Sequence, residues 1–275
     1  MRRRFAKYVL GALMLLASAL PVLAEESVLR ALATSDAGKG WLGVGRLNIG
    51  NRGFCTGSLI APDVVLTAAH CLFDQKTGAV FDVGELEFLA GWRNGRAEAY
   101  RGIRAAVVHP RFDVLAADRV ARVAYDLALL QLDRPIRLPG VQPFATSGRP
   151  RKGDEVGVVS YAQDRAEAPS LQEVCHVLAG RAGVLMMSCN VDFGASGSPV
   201  FHIEEQEARI VSVVSAMSDV DGKPVSLGVS LGNNLTLLQG RLDAGDSIFP
   251  NTGALIRRFG QNNETAVGGA KFLRP

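Results

Sequence analysis

Ser196 sits in the stretch "CNVDFGASGSPVFH", residues 189 to 202, between Ala195 and Gly197, where its neighbours are too small to cover a hydroxyl. A tight Gly/Ser turn explains such a composition, and so does an exposed nucleophile. A serine hydroxyl alone is a weak nucleophile. To attack a carbonyl it needs an imidazole within hydrogen-bond reach to take its proton, and a carboxylate to fix that imidazole's tautomer. The chain offers His70, His109, His176 and His202. His70, in "LTAAHC", follows a strand-like run and stands among small residues beside a cysteine, which leaves the ring room to face a cleft. Asp126, in "AYDLALLQLD", opens an apolar run, and a charge at the mouth of a buried strand is costly unless something pairs with it. Asp113 and Asp133 lie in turn-like surroundings and read as solvated, and His109, His176 and His202 read as structural or exposed.

The elements that must position these groups are strands. Short β-like runs recur with turn residues between them: "WLGVGRLNI", "CTGSLIA", "VVLTAAH", "LEFLAGW", "YRGIRAAVVHP" and "DLALLQL", then "EVGVVSYA", "QEVCHVLA", "GVLMMSC", "SPVFHI", "RIVSVVSAM" and "VSLGVSL". Many short strands at such spacing argue for a barrel or sandwich. The stretch "RPIRLPGVQPFATSGRPRKGD", residues 134 to 154, is proline-rich and divides the strands into two groups of six. An all-β architecture of two packed six-stranded barrels follows, with a cleft between them as the natural site. The corresponding divisions are an N-terminal segment 25–40, barrels over 41–140 and 141–234, and a partly irregular extension over 235–275.

Residues 1–24 read as an export signal: a cationic start (Arg2, Arg3, Arg4, Lys7), an apolar run too short for a membrane span, and small residues at Val22 and Ala24 before Glu25. The leader takes four of the 30 Lys and Arg and none of the 27 Asp and Glu, which leaves 26 basic against 27 acidic residues and a net charge of −1. Nothing strongly basic remains to suggest nucleic acid or an anionic membrane, and no stable membrane insertion of the mature chain is expected. Cys55, Cys71, Cys175 and Cys189 all lie in the exported part, a periplasmic or extracellular setting where disulfides persist, and four cysteines allow three pairings. No Cys-x-x-Cys spacing with nearby histidines argues for zinc, and no metal or organic cofactor is implied. Oligomeric state is not legible.

"TAAHC", "DLALLQL" and "GASGSP", in that order, resemble the trypsin/chymotrypsin-like serine proteases, especially their bacterial members, over roughly residues 41 to 232. The resemblance implies a hydrolase acting on polypeptides, with the cleft between two β-barrels as active site. Residue by residue it implies His70 as general base and acid, Asp126 as its orienting carboxylate and Ser196 as nucleophile. The backbone N–H groups of Gly194 and Ser196 would form the oxyanion hole. It also implies pairing of Cys55 with Cys71, and the chain is expected to pair Cys175 with Cys189.

The chain departs from the family in two places. In members activated by proteolysis an aspartate precedes the serine and pairs with a freed N-terminus, whereas Ala195 here has no charge to offer. In the primary pocket, counting from Ser196 places Asn190 at the base, Ser215 and Met217 on one wall and Gly228 on a second. This set does not support a preference for Arg or Lys; a one-residue bulge would instead bring Asp192 into the pocket and reverse that conclusion. The alternative to an endopeptidase is a catalytically silent relative that uses the same cleft to bind a protein partner.

Overall fold

The structure, a computed structural model, describes residues 26–148, 150–204 and 207–249. The segment read as an export signal and residues 250–275 of the C-terminal extension lie outside the described residues. Six strands, β2 (Val44–Ile49), β3 (Gly53–Ala61), β4 (Val64–Thr67), β5 (Leu86–Ala90), β6 (Ala99–Val108) and β7 (Ala128–Leu132), close in the order β2-β3-β4-β7-β6-β5. Six more, β8 (Glu155–Ser160), β9 (Ser170–Arg181), β10 (Val184–Met187), β11 (Pro199–Glu204), β12 (Glu207–Val220) and β13 (Lys223–Ser230), run in the order β9-β10-β13-β12-β11-β8, and β8 pairs back to β9. Every pairing among these strands is antiparallel, and the chain folds as two six-stranded barrels, as the strand count implied. A two-residue strand, β1 (Arg30–Ala31), joins the N-terminal segment to the edge of β9 in the second barrel.

Local chemistry explains the hairpins. Ala182 and Gly183 between β9 and β10, and Asp221 and Gly222 between β12 and β13, all have positive φ. Two consecutive left-handed residues match the right-handed twist of the flanking strands. Apolar side chains of the first barrel (Leu47, Leu59, Leu66, Phe88, Leu130) form a core continuous with Tyr161, Phe201, Ile210 and Val213 of the second, while Val158, Val177, Leu185, Met187 and Val200 fill a separate cluster within the second barrel. Phe144, from the proline-rich crossing segment, packs edge-on against Phe201 at 4.8 Å between ring centroids, and Trp41 meets the same ring at 5.1 Å. The crossing segment is thus a hydrophobic strap as well as a connection.

Among the described residues the α-helices are α1 (Ser35–Gly38), α2 (Arg119–Ala124) and α3 (Gly232–Asp243). Helix α3 begins inside the second-barrel span drawn from the sequence and occupies the start of the stretch read as irregular. Its Leu235 and Leu238, with Phe249 beyond it, are buried in the continuous core. Among the described residues no helix is long and apolar enough to cross a membrane.

Candidate active site

Strand β4 runs into a single 3-10 turn, Ala69–Leu72, that carries His70, and the next residue, Cys71, is bonded to Cys55 on β3 across a sequence separation of 16. A loop of that size contributes about 3 kcal/mol in the chain-entropy model. Asp126, between α2 and β7, is 2% exposed. Its Oδ1 accepts the His70 backbone N–H at 2.8 Å, and its Oδ2 faces His70 Nδ1 at 2.6 Å and accepts the Ser215 hydroxyl at 2.5 Å. A buried carboxylate is tolerated where donors surround it, and this one has three. Because an ionised carboxylate only accepts, the proton it shares with His70 sits on Nδ1, which leaves the Nε2 lone pair available as a base. Burial is the largest influence on the His70 pKa and lowers it. The charge and hydrogen bond of Asp126 outweigh that burial and the opposing Arg122 guanidinium, so the net shift is upward.

The turn around Ser196 uses glycine where nothing else fits. Gly194 (φ +97°) and Gly197 (φ +81°) are left-handed, a region that costs side-chain-bearing residues strain. A Cβ at 194 would press on the Phe54 ring, and one at 197 would overlap the Thr56 carbonyl and the Thr67 hydroxyl. Ser196 is half-buried and lines one cleft with His70, Gly194, Phe54 and Phe193. Its carbonyl accepts the Thr56 N–H at 2.8 Å, while the Gly197 N–H donates to Val214 at 2.8 Å. The turn is therefore stitched to β3 of one barrel and to β12 of the other, and the small neighbours follow from that confinement.

The structure brings His70, Asp126, Gly194 and Ser196 to one place, and of the residues expected in the primary pocket it sets Ser215, Met217 and Gly228 on the paired strands β12 and β13. Asn190 is exposed, its N–H held by the Gln172 side chain at 2.7 Å. The Asp192 carboxylate accepts the Phe193 N–H at 2.6 Å and so caps its own turn. Met217 is half-buried on β12 opposite Ser226 of β13. Gly228 packs inside the barrel, where a Cβ would strike the Ser212 hydroxyl and the Met187 methyl. Ser215 turns its hydroxyl onto Asp126, a contact spanning 89 positions that no local pattern announces. The disulfides are Cys55–Cys71 and Cys175–Cys189. Cys55, His70 and Cys71 come close enough together to ligate a metal, but both sulfurs are consumed in the disulfide and offer no thiolate.

Known proteins resemble this chain in sequence and in fold. A glutamyl endopeptidase of Bacillus licheniformis is 27% identical over 158 residues, covering 57% of this chain and 47% of that protein. Serine protease 23 of Bos taurus is 27% identical over 206 residues, covering 64% of this chain and 53% of that protein. The chain thus spans about half the length of these relatives. A solved structure titled "Structure of Glu endopeptidase in complex with MPD" superposes with a TM-score of 0.64 at 16% identity, over 81% of this chain and 99% of that one, a likeness of fold. The family model described as "Trypsin-like peptidase domain" matches residues 55–209, more than half of the sequence, and the chain belongs to that family.

Proposed function

We propose that the chain is an exported serine endopeptidase that hydrolyses peptide bonds through Ser196, His70 and Asp126 by way of an acyl-enzyme. The observation that carries this reading is the Asp126 carboxylate, which accepts from the backbone N–H of His70, faces its Nδ1 and takes the Ser215 hydroxyl. An aspartate that merely began a strand would have no use for that donor set. In the reaction, His70 Nε2 takes the hydroxyl proton as Ser196 Oγ bonds to the scissile carbonyl carbon. The N–H groups of Gly194 and Ser196 stabilise the oxyanion, and collapse breaks the C–N bond as His70 protonates the leaving amine. Water, deprotonated by His70, then cleaves the acyl ester and restores Ser196. The steps need only protein groups and water. In this reading residues 1–24 direct export, residues 41–140 and 141–234 supply the two walls of the site, and the disulfides suit a periplasmic or extracellular setting.

Labelling of the purified, disulfide-intact protein with a fluorophosphonate probe, read by intact mass and peptide mapping, tests the reading. Stoichiometric modification of Ser196 is expected, absent in Ser196→Ala and strongly reduced in His70→Ala. A folded protein that takes up no probe would overturn the proposal and point to a relative that only binds its partner.

A further inference from the structure

An oxyanion hole built from backbone N–H groups works only if the peptide planes that carry them cannot turn. The turn over residues 192–196 has no charged anchor at its centre, because residue 195 is a buried alanine. Within the turn the Ala195 N–H donates to the Asp192 carbonyl at 2.9 Å and the Ser198 N–H to the Ala195 carbonyl at 3.0 Å, and two contacts from outside it hold the planes on either side of Gly194. The Phe193 carbonyl accepts the Gln163 N–H at 2.8 Å. In a planar trans peptide the N–H points opposite the carbonyl, so this bond aims the Gly194 N–H away from Gln163. The Gly194 carbonyl, on the next plane, accepts the Thr56 hydroxyl at 3.0 Å. That hydroxyl in turn accepts the Tyr161 N–H at 3.1 Å, so its single proton is committed to Gly194. The Thr56 N–H holds the Ser196 carbonyl at 2.8 Å, and its own carbonyl accepts the Thr67 hydroxyl at 2.8 Å. Thr56 is fully buried on β3, with no water to substitute for any of these partners. Among the described residues, no acceptor is paired with the N–H of Gly194 or of Ser196.

We infer that Thr56 and the Gln163 N–H are the positioning groups that set the oxyanion hole, the Gln163 N–H holding the peptide plane that carries the Gly194 N–H and the Thr56 hydroxyl the plane that follows it, so that the turn is formed without a charged anchor. The inference rests on the serine-peptidase reading above and deepens it. Thr56 touches no substrate and acts through the backbone it holds.

The test compares the wild type with Thr56→Val, Thr56→Ser and Gln163→Pro in the full mature chain, with Gly194 watched by NMR of glycine-labelled protein. Valine keeps the shape and removes the hydroxyl. Proline removes one N–H at an exposed position where it fits, because Gln163 is the first residue of a 3-10 turn and Ala162 before it is extended. Removing one oxyanion donor outright costs about 10²–10³ in kcat, so loosening one is expected to lower kcat between about 10- and 100-fold in Thr56→Val and in Gln163→Pro, with KM nearly unchanged. Thr56→Ser should restore most of the rate, and the Gly194 amide resonance should be single in the wild type and broadened or doubled in both slow variants. Folded Thr56→Val and Gln163→Pro proteins with wild-type kcat and an unchanged Gly194 resonance would overturn the inference, as would a Thr56→Ser variant as slow as the valine. If the wild type itself fails to label with fluorophosphonate, the peptidase reading falls, while the Gly194 resonance still decides whether Thr56 sets the turn.

Discussion

At His70 three influences meet on one imidazole. Burial favours the neutral ring, the Arg122 guanidinium also favours it, and the Asp126 charge with its hydrogen bond favours the cation and prevails. The base must be neutral to accept the serine proton, so kcat/KM is expected to fall as pH drops through a value above the ordinary imidazole 6.5. Arg122→Gln removes one of the influences that lower the value. The acid limb should therefore move to still higher pH, and a limb that stays in place or moves down would show that Arg122 does not act on His70. The same raised value makes protonated His70 a stabilising group: its contribution is complete below pH 6.5 and is lost as pH rises through the folded-state value. His70, Asp126 and Ser196, to which this chemistry is assigned in the proposed function, were legible because each sits in a short distinctive string. Ser215 was read only as a pocket-wall residue and Thr56 not at all, because the bonds of Ser215 to Asp126 and of Thr56 to Gly194 join positions remote in the chain through a side chain of a common type, and a serine in "VVSAM" or a threonine in "CTGS" looks like any strand residue.

At the scale of elements, strands were readable because alternating apolar positions and turn residues repeat along the chain, and β2 shows the result in its alternation of buried and half-buried residues. Helix α3 was not readable. Its segment "GNNLTLLQGRLD" begins with two asparagines after a glycine, a turn-like opening, and only two of its residues, Leu235 and Leu238, are buried. Its helical state is fixed by packing on β6 and β7 of the first barrel, with intrinsic propensity contributing little. This makes α3 part of the fold and not an appendage. Leu238 is fully buried, so Leu238→Ala should cost about 2–5 kcal/mol. Chemical denaturation would read this as a lower midpoint at unchanged slope. A midpoint equal to the wild type would mean that the helix docks without stabilising the barrels.

At the scale of the whole molecule, the site exists only while the two barrels hold their relative position, since His70 and Asp126 come from the first and Ser196 and Ser215 from the second. Trp92 and Tyr161 join the barrels by reciprocal bonds. The Tyr161 phenol donates to the Trp92 carbonyl at 2.8 Å, and the Trp92 indole N–H donates to the Ala166 carbonyl at 3.2 Å. Tyr161 is fully buried, and that burial pushes its phenol pKa far upward, so it remains a donor throughout the working pH range. Tyr161→Phe keeps the ring in the core and removes only the donor, leaving the Trp92 carbonyl without its partner at a cost of about 1–3 kcal/mol. In a protein of this size each kcal/mol lowers Tm by roughly 2–4 °C. The Tyr161 N–H, which meets the Thr56 hydroxyl, survives the substitution, so kcat at temperatures well below the transition should stay within about twofold of the wild type. Stability and rate are thus expected to separate along one residue, whose side chain bonds to the first barrel and whose backbone N–H meets Thr56 beside the Ser196 turn. A Tyr161→Phe protein with an unchanged Tm would show that the Trp92 carbonyl finds another donor. A large fall in kcat without loss of Tm would mean that the phenol, and not the backbone of residue 161, supports the turn.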